Sequence, residues 1–408
     1  MSLFWHGCSV TEDALLILVA GGLLATGVLA SLVAARLRLP ALVLFLGLGM
    51  LIGTDGLGWI DFENYELTRL IGSIALLLIL FEGGLAAGFD EIRPVLRPAI
   101  SLAIVATVGT ALIVGLAATV LFDLPPLKAL LLGAVLSGTD GAAVFALLRG
   151  SRLRPELART LEGEAGLNDP IAVLLVLACI ELLTQPDYGA LDVLFFFMQE
   201  LGVGALIGVS MGAVGVICLR ALKSAPPSLN LVASFATAAI AYGAAGALHG
   251  SGFLAVYLAG LALGSLDLPA KPSVDAFHEG LAAVAEIGMF FALGLLVFPS
   301  QLDRNALEST LLALIVAFIA RPLAAAAATA FEPFSARDRL LLGWTGLRGA
   351  VPVILATFPV IEGIPRSLEF FNVVFFAVLV STLIQGTTVE TLAGRLGCTE
   401  EAASAGTP

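Results

Sequence analysis

The chain has 408 residues, of which 59% are apolar and 13% charged, and its mean hydropathy is +1.02. Soluble domains carry roughly 25% charged residues, so this composition excludes a soluble enzyme or binding domain and leaves an all-α polytopic membrane protein in a lipid bilayer. The net charge of −12 argues against a nucleic-acid partner, and four scattered cysteines with three unclustered histidines build no zinc site.

Met1 to Asp13 has neither a positive n-region nor a small-residue cleavage site, so no signal peptide is expected and the first span is retained. Apolar runs divided by Gly, Pro and charge predict about thirteen spans, each able to cross a hydrocarbon core of about 30 Å. They lie at 12–35, 40–55, 68–87, 97–122, 127–149, 156–183, 190–221, 228–248, 250–266, 277–298, 308–331, 338–359 and 367–393. Cys179 and Cys218 fall inside the sixth and seventh spans and are expected to be inert core residues. Residues 394–408 form a short acidic, small-residue tail with little to fold, and no regulatory domain is expected after them.

One set of alternate loops holds fourteen basic residues, running from Arg36 and Arg38 through Arg149 to Arg395. The opposite set holds four, Arg69, Lys128, Arg304 and Arg366, and Arg321 and Arg348 fall inside spans. Basic loops face the cytoplasm, which sets the N-terminus outside and the C-terminus inside.

The segment Ser137-Gly138-Thr139-Asp140-Gly141-Ala142-Ala143-Val144 in the fifth span is similar to Thr345-Gly346-Leu347-Arg348-Gly349-Ala350-Val351-Pro352 in the twelfth, offset by 208 positions (345 minus 137). Leu42 to Gly53 is similar to Leu254 to Gly264, offset by 212 (254 minus 42). The fifth and twelfth spans enter from opposite sides, so two six-helix repeats of inverted topology are expected, joined by the seventh span as linker helix. Gly-x-x-Gly at mid-membrane can serve close helix packing. Packing needs no charges, however, and Asp140 and Arg348 sit within the two motifs. Two broken, crossing helices are therefore expected, with Asp140 facing exposed N–H groups and Arg348 facing exposed carbonyls.

The sixth span opens on Leu161-Glu162-Gly163-Glu164-Ala165-Gly166-Leu167-Asn168-Asp169-Pro170. A charge at mid-span costs about 2.5–3.5 kcal/mol, so each carboxylate needs a partner, water or a function. Glu164 and Asn168, four apart, share one helix face, and Asp169 lies on the next. Asp169 and Asp140 are the candidate site for a monovalent cation or a proton, with Thr139 and Asn168 completing an oxygen shell. Arg321, in Ala320-Arg321-Pro322, either snorkels toward the cytoplasmic end of its span, about ten residues on, or pairs with a buried carboxylate, which Glu164 on the other face supplies as a structural ion pair. Glu82, in Phe81-Glu82-Gly83-Gly84-Leu85, either lines an ion path or marks an interfacial helix end. Glu200 and Glu286 are read as lining the interface between halves, and Glu162 as pairing with Arg159 near the membrane surface.

In these residues the chain resembles bacterial monovalent cation/proton antiporters of the NhaP and NHE-like branch of the cation:proton antiporter superfamily, and is most like the potassium/proton NhaP or CvrA type. The likeness runs from the first span to Gln385-Gly386-Thr387, with Thr139-Asp140, Asn168-Asp169, Ala320-Arg321-Pro322 and Gly346-Leu347-Arg348-Gly349 in family order. It implies an NhaA-like fold and a homodimer in a bacterial inner membrane. It also implies a dimerisation scaffold at about 12–87 and 228–298, a linker at about 190–221 and a moving core at about 97–183 and 308–393, all within a transmembrane domain of residues 1–393. The implied function is exchange of K⁺ or Na⁺ for H⁺ by alternating access, with no cofactor and no enzymatic step. In that pattern Asp169 and Asp140 bind ion or proton, Glu164 pairs with Arg321, and Arg348 compensates the broken twelfth span. Asn168, where a sister branch has a second Asp, implies electroneutral one-for-one exchange. Ala165 stands where relatives commonly carry a Ser that ligates sodium, and the cytoplasmic regulatory region of CvrA-type relatives is not carried over. The competing readings are a sodium-coupled solute symporter on the same plan, which would need polar room for an organic substrate, and an intramembrane aspartyl enzyme using Asp140 and Asp169.

Overall fold

The computed structural model describes residues 10–37, 41–148, 152–265, 271–302 and 305–399. His6, Cys8, Arg38, Arg149, Arg304 and the tail from residue 400 lie outside the described residues. The regular elements are helices: α1 (Val10–Leu37), α2 (Ala41–Ile52), α3 (Tyr65–Ala87), α4 (Phe89–Phe122), α5 (Pro126–Ser137), α6 (Gly141–Leu148), α7 (Pro155–Thr184), α8 (Ala190–Ser224), α9 (Pro227–Ala247), α10 (Gly252–Gly264), α11 (Lys271–Leu295), α12 (Ala306–Ala328), α13 (Ala336–Trp344), α14 (Ala350–Ile361) and α15 (Ser367–Leu396). Among the described residues nine of them are long and apolar enough to cross a membrane, and α2, α5, α10 and α14 are shorter apolar helices. The chain is a multi-pass, all-helical membrane protein.

Local chemistry sets the ends. Asn64 caps α3 by accepting the Leu67 N–H at 2.8 Å, and α3 stops at Gly88, whose φ of 66° suits glycine. α5 and α7 open on Pro126 and Pro155, where a missing N–H costs nothing. α4 starts at Phe89, ahead of the expected residue 97, since Pro94 and Pro98 fall in first turns that tolerate proline. α2 and α10 are shorter than the apolar runs expected at 40–55 and 250–266. They stop after 12 and 13 residues, about 18–20 Å of helix.

α3 and α7 are central, with 72% and 61% of their apolar windows buried, whereas α1 and α8 bury 17% and 22% and turn an apolar face outward. That outward face corrects the reading of Cys218, which is exposed on α8, while Cys179 on α7 is buried. α3 and α10 pack backbone to backbone: a Cβ on Gly260 would stand 2.6 Å from the Phe81 carbonyl, and one on Gly84 2.6 Å from that of Tyr257. Three π turns, at Leu102–Ala106, Val316–Ala320 and Ser381–Gln385, interrupt α4, α12 and α15 next to polar residues.

The start of the tail is folded. The Arg154 N–H donates to the Cys398 carbonyl at 3.0 Å, Leu153 bridges Thr399, and the Cys398 thiol lies 3.4 Å from Asp338 Oδ1, which also pairs with Arg154.

Gly260→Val is expected to cost about 1–3 kcal/mol through overpacking, lowering Tm and folded yield in detergent. Gly243→Val, with nothing within 4 Å of its new Cβ, should leave both unchanged. Equal thermal unfolding curves for the two variants would contradict the close α3–α10 seam.

Candidate functional site

Residues 138–140 separate α5 from α6, and residues 345–349 separate α13 from α14. Each gap leaves helix-end carbonyls and N–H groups that must find partners inside the protein. The two gaps meet and supply them to each other. The Asp140 N–H donates to the Leu347 carbonyl at 2.8 Å. Arg348 Nη1 donates to the Ser137 and Gly138 carbonyls at 2.7 and 2.6 Å, closing the carbonyl end of α5. The Asp140 carboxylate accepts from the first turns of both following half-helices, from Ala143 N–H at 3.4 Å and Ala350 N–H at 3.0 Å. Negative charge at a helix N-terminus and positive charge at a carbonyl end are both favourable. A Cβ on Gly349 would stand 1.6 Å from Asp140 Oδ2, so this approach requires glycine.

Around this crossing α15 adds a bracket. The Arg348 N–H donates to Ser381 Oγ at 2.8 Å, Ser381 Oγ donates to Gln385 Oε1 at 2.7 Å, and Gln385 Nε2 donates to the Trp344 carbonyl at 3.0 Å, capping the end of α13. Ser381 and Gln385 were not singled out in the sequence. The available signal was a pair of polar side chains four apart in the thirteenth span, after the apolar run Val373–Val380.

α7 presents its polar residues to three neighbours. Glu164 is ion-paired with Arg321 of α12, and both are buried. The Arg321 side chain lies against Gly346, where an added Cβ would meet Nε at 2.3 Å, so the pair braces the second gap. Asn168 Nδ2 donates to Thr139 Oγ1 at 2.5 Å, and Asn168 Oδ1 accepts from Thr107 Oγ1 of α4 at 3.0 Å. Thr139 and Asn168 are thus bonded to each other. Thr107, which follows the π turn of α4, is a further partner that the sequence reading passed over; a hydroxyl in an apolar span was its only mark. Glu162 pairs with Arg159 at 2.8 Å.

Asp169 differs from all of these. It is 1% exposed, and neither carboxylate oxygen has a hydrogen-bond partner among the described residues. It lies at the start of α6, where a Cβ on Gly141 would be 3.7 Å from Asp169 Oδ2, and within electrostatic reach of Asp140. Pro170, the next residue, has no N–H to give the Gly166 carbonyl, which leaves another acceptor one turn away. Glu82 is buried on α3 beside Gly83, which packs on the Phe145 ring, so it sits at the flank of α6.

Five charged side chains among the described residues are exposed by 2% or less: Asp140, Glu164, Asp169, Arg321 and Arg348. Three carboxylates against two guanidiniums leave one negative charge. One monovalent cation or one proton removes it.

Helices of this length, interrupted twice around buried charge, define a multi-pass membrane protein with a polar centre. The chain belongs to the family described as "Sodium/hydrogen exchanger, transmembrane", whose profile matches residues 22–394. It is 42% identical to the K(+)/H(+) antiporter NhaP of Alkalimonas amylolytica over 93% of this chain and 66% of that one. It is 40% identical to the K(+)/H(+) antiporter NhaP2 of a Shewanella species (strain MR-4), over 92% and 66%. The chain therefore spans 66% of the length of these curated relatives, both named as antiporters. Its fold is like that of the sodium proton antiporter MjNhaP1 from Methanocaldococcus jannaschii, with a TM-score of 0.80 at 23% identity over 94% of this chain and 99% of that one.

Glu164→Gln is expected to leave Arg321 buried without a counter-charge, at a cost of about 3–5 kcal/mol. Folded protein in the membrane should fall steeply by gel filtration, and Glu164→Gln combined with Arg321→Met should recover most of it. Normal yield of the single variant together with lost activity would instead put Glu164 in the ion-handling site.

Proposed function

We propose that this protein is a secondary antiporter that exchanges one monovalent cation for one proton, with Asp169 holding each in turn. The observation that carries this reading is the Asp169 carboxylate, buried and without hydrogen-bond partners among the described residues, in a set of five buried charges one positive charge short of neutrality. A bare buried carboxylate is costly, so it is retained where a proton or cation neutralises it. Proton and cation then compete for one group, and that competition couples the two flows. Asp140, committed to two helix ends, acts as fixed charge beside the site and contributes to cation binding at its rim. Asn168 is neutral and bonded to Thr139 and Thr107, so it adds no second titrating charge, which supports electroneutral exchange.

The fold reading that accompanies this has about thirteen spans, two inverted repeats and two broken helices crossing at their gaps. The π turns support the repeat: Leu102–Ala106 of α4 and Val316–Ala320 of α12 are offset by 214 positions (316 minus 102), close to the offsets of 208 and 212 in the sequence. In the reading, the core carrying Asp169 moves against a scaffold containing α3, α10 and α11. The chain works as a homodimer in a bacterial inner membrane, with the N-terminus outside, by the distribution of basic residues and by family likeness. The names of the 42% and 40% identical relatives favour K⁺ as the cation. Ala165 agrees, since it brings no side-chain oxygen to the turn before Asp169.

The test is purified protein in vesicles with an imposed pH gradient. K⁺ is expected to collapse the gradient, Na⁺ more weakly, and Asp169→Asn to abolish the response; no collapse with any alkali cation would sink the reading. A second expectation follows from competition: the rate should fall steeply as the cation-loading side is made acidic, because protons then hold Asp169. A rate unchanged over about two pH units would contradict a shared carboxylate.

A further inference from the structure

Along one seam α3 faces α14 and α15, and three contacts follow each other down it. Tyr65 packs edge-on against Phe371, ring centroids 5.8 Å apart at 76°. One turn further along α3, the Arg69 guanidinium lies 5.7 Å from the Phe358 ring centroid. Next comes Gly72, where a Cβ would be 2.7 Å from Ile354 Cγ1 and 3.2 Å from its Cγ2. From Phe358 to Ile354 the seam descends one turn of α14 toward Ala350, whose N–H binds Asp140. At its upper end a cavity of about 480 Å³ opens between the same two groups of helices. It is lined by Glu63, Tyr65 and Phe298 on one side and by Arg366, Phe371 and Asn372 on the other. The distribution of basic residues puts this end outside.

We infer that this seam is the outer gate of the transport path and that the cavity above it is the vestibule from which a cation enters. The inference rests on the antiport reading, in which α3 belongs to the scaffold and α14 and α15 to the moving core. Three features suit a gate. The seam stands between an outside cavity bearing the Glu63 carboxylate and the crossing that holds Asp140. The three contacts named are aromatic, cation–π and aliphatic, so none of them is a hydrogen bond that opening must break, and half-buried Arg69 keeps access to water. Gly72 leaves the room on α3 that the Ile354 side chain of α14 occupies, so the fit of the closed seam depends on that pair. For Asp169 to meet the outside, Tyr65, Arg69 and Gly72 must leave Phe371, Phe358 and Ile354.

The same geometry provides the test. The Ile354 Cβ is bonded to both γ carbons, so it lies about 4 Å or less from a Cβ at position 72, within the span a disulfide bridges. Gly72→Cys with Ile354→Cys would be made in a chain whose four native cysteines are serine, reconstituted, and assayed for K⁺-driven collapse of a pH gradient. Oxidation is expected to cut the rate at least about tenfold, and reduction to restore it. Protein shown by peptide mapping to be fully crosslinked, yet transporting at the reduced rate, would overturn the gate. If the crowded Gly72→Cys pair does not fold, Tyr65→Cys with Phe371→Cys, joined by a short bifunctional thiol reagent, is read by the same two outcomes. The cysteine-free parent separates the claims: its failure to respond to any alkali cation counts against antiport itself, whereas an active parent with an active crosslinked pair counts against the gate alone.

Discussion

A peptide group in a membrane has no water to turn to, and an unpaired N–H or C=O there costs several kcal/mol. Two helices broken inside a membrane protein expose such groups twice over. Asp140 and Arg348 answer both breaks at once, the carboxylate taking N–H groups from α6 and α14 and the guanidinium closing the carbonyls of α5. Each break is thus stabilised by a residue placed in or beside the other, and neither half-helix is complete alone. Gly349 and the bracket of Ser381 and Gln385 follow from this mutual need.

Once the crossing is satisfied, the remaining charges divide by what they still owe. Glu164 is committed to Arg321, and Asp140 to helix ends, while Asp169 is committed to nothing among the described residues. A centre that lacks one positive charge suits a single transferable monocation, whether a proton or an alkali ion. In the proposed exchange, stability and turnover fall on different residues. The broken helices and the Glu164–Arg321 brace hold the geometry, and Asp169 is left able to gain and lose its partner.

Much of the architecture was legible because charge and glycine are conspicuous in an apolar chain. The gaps after Ser137 and Trp344 were readable from glycines flanking Asp140 and Arg348, and many helix ends from Pro and Gly punctuation. An intramembrane guanidinium announces its need for a carboxylate before any partner is seen. What escaped was tertiary: Thr107 reaches Asn168 across 61 positions, and Ser381 reaches Arg348 across 33. No local pattern encodes those pairings. The same limit hid that Asn168 and Thr139 bind each other, that Cys218 faces outward, and that α2 and α10 are helical for only 12 and 13 residues. Periodicity marks an apolar helix but not which of its sides meets protein and which meets lipid.

The central claim is that one carboxylate holds the cation and the proton in turn, and proton release on binding tests it most directly. Purified protein would be titrated with K⁺ at a pH where the site is protonated, in two buffers of different ionisation enthalpy. Competition at Asp169 requires about one proton released for each cation bound, and no release from Asp169→Asn. Saturable K⁺ binding with no proton released, or the same release from the Asp169→Asn protein, would contradict it.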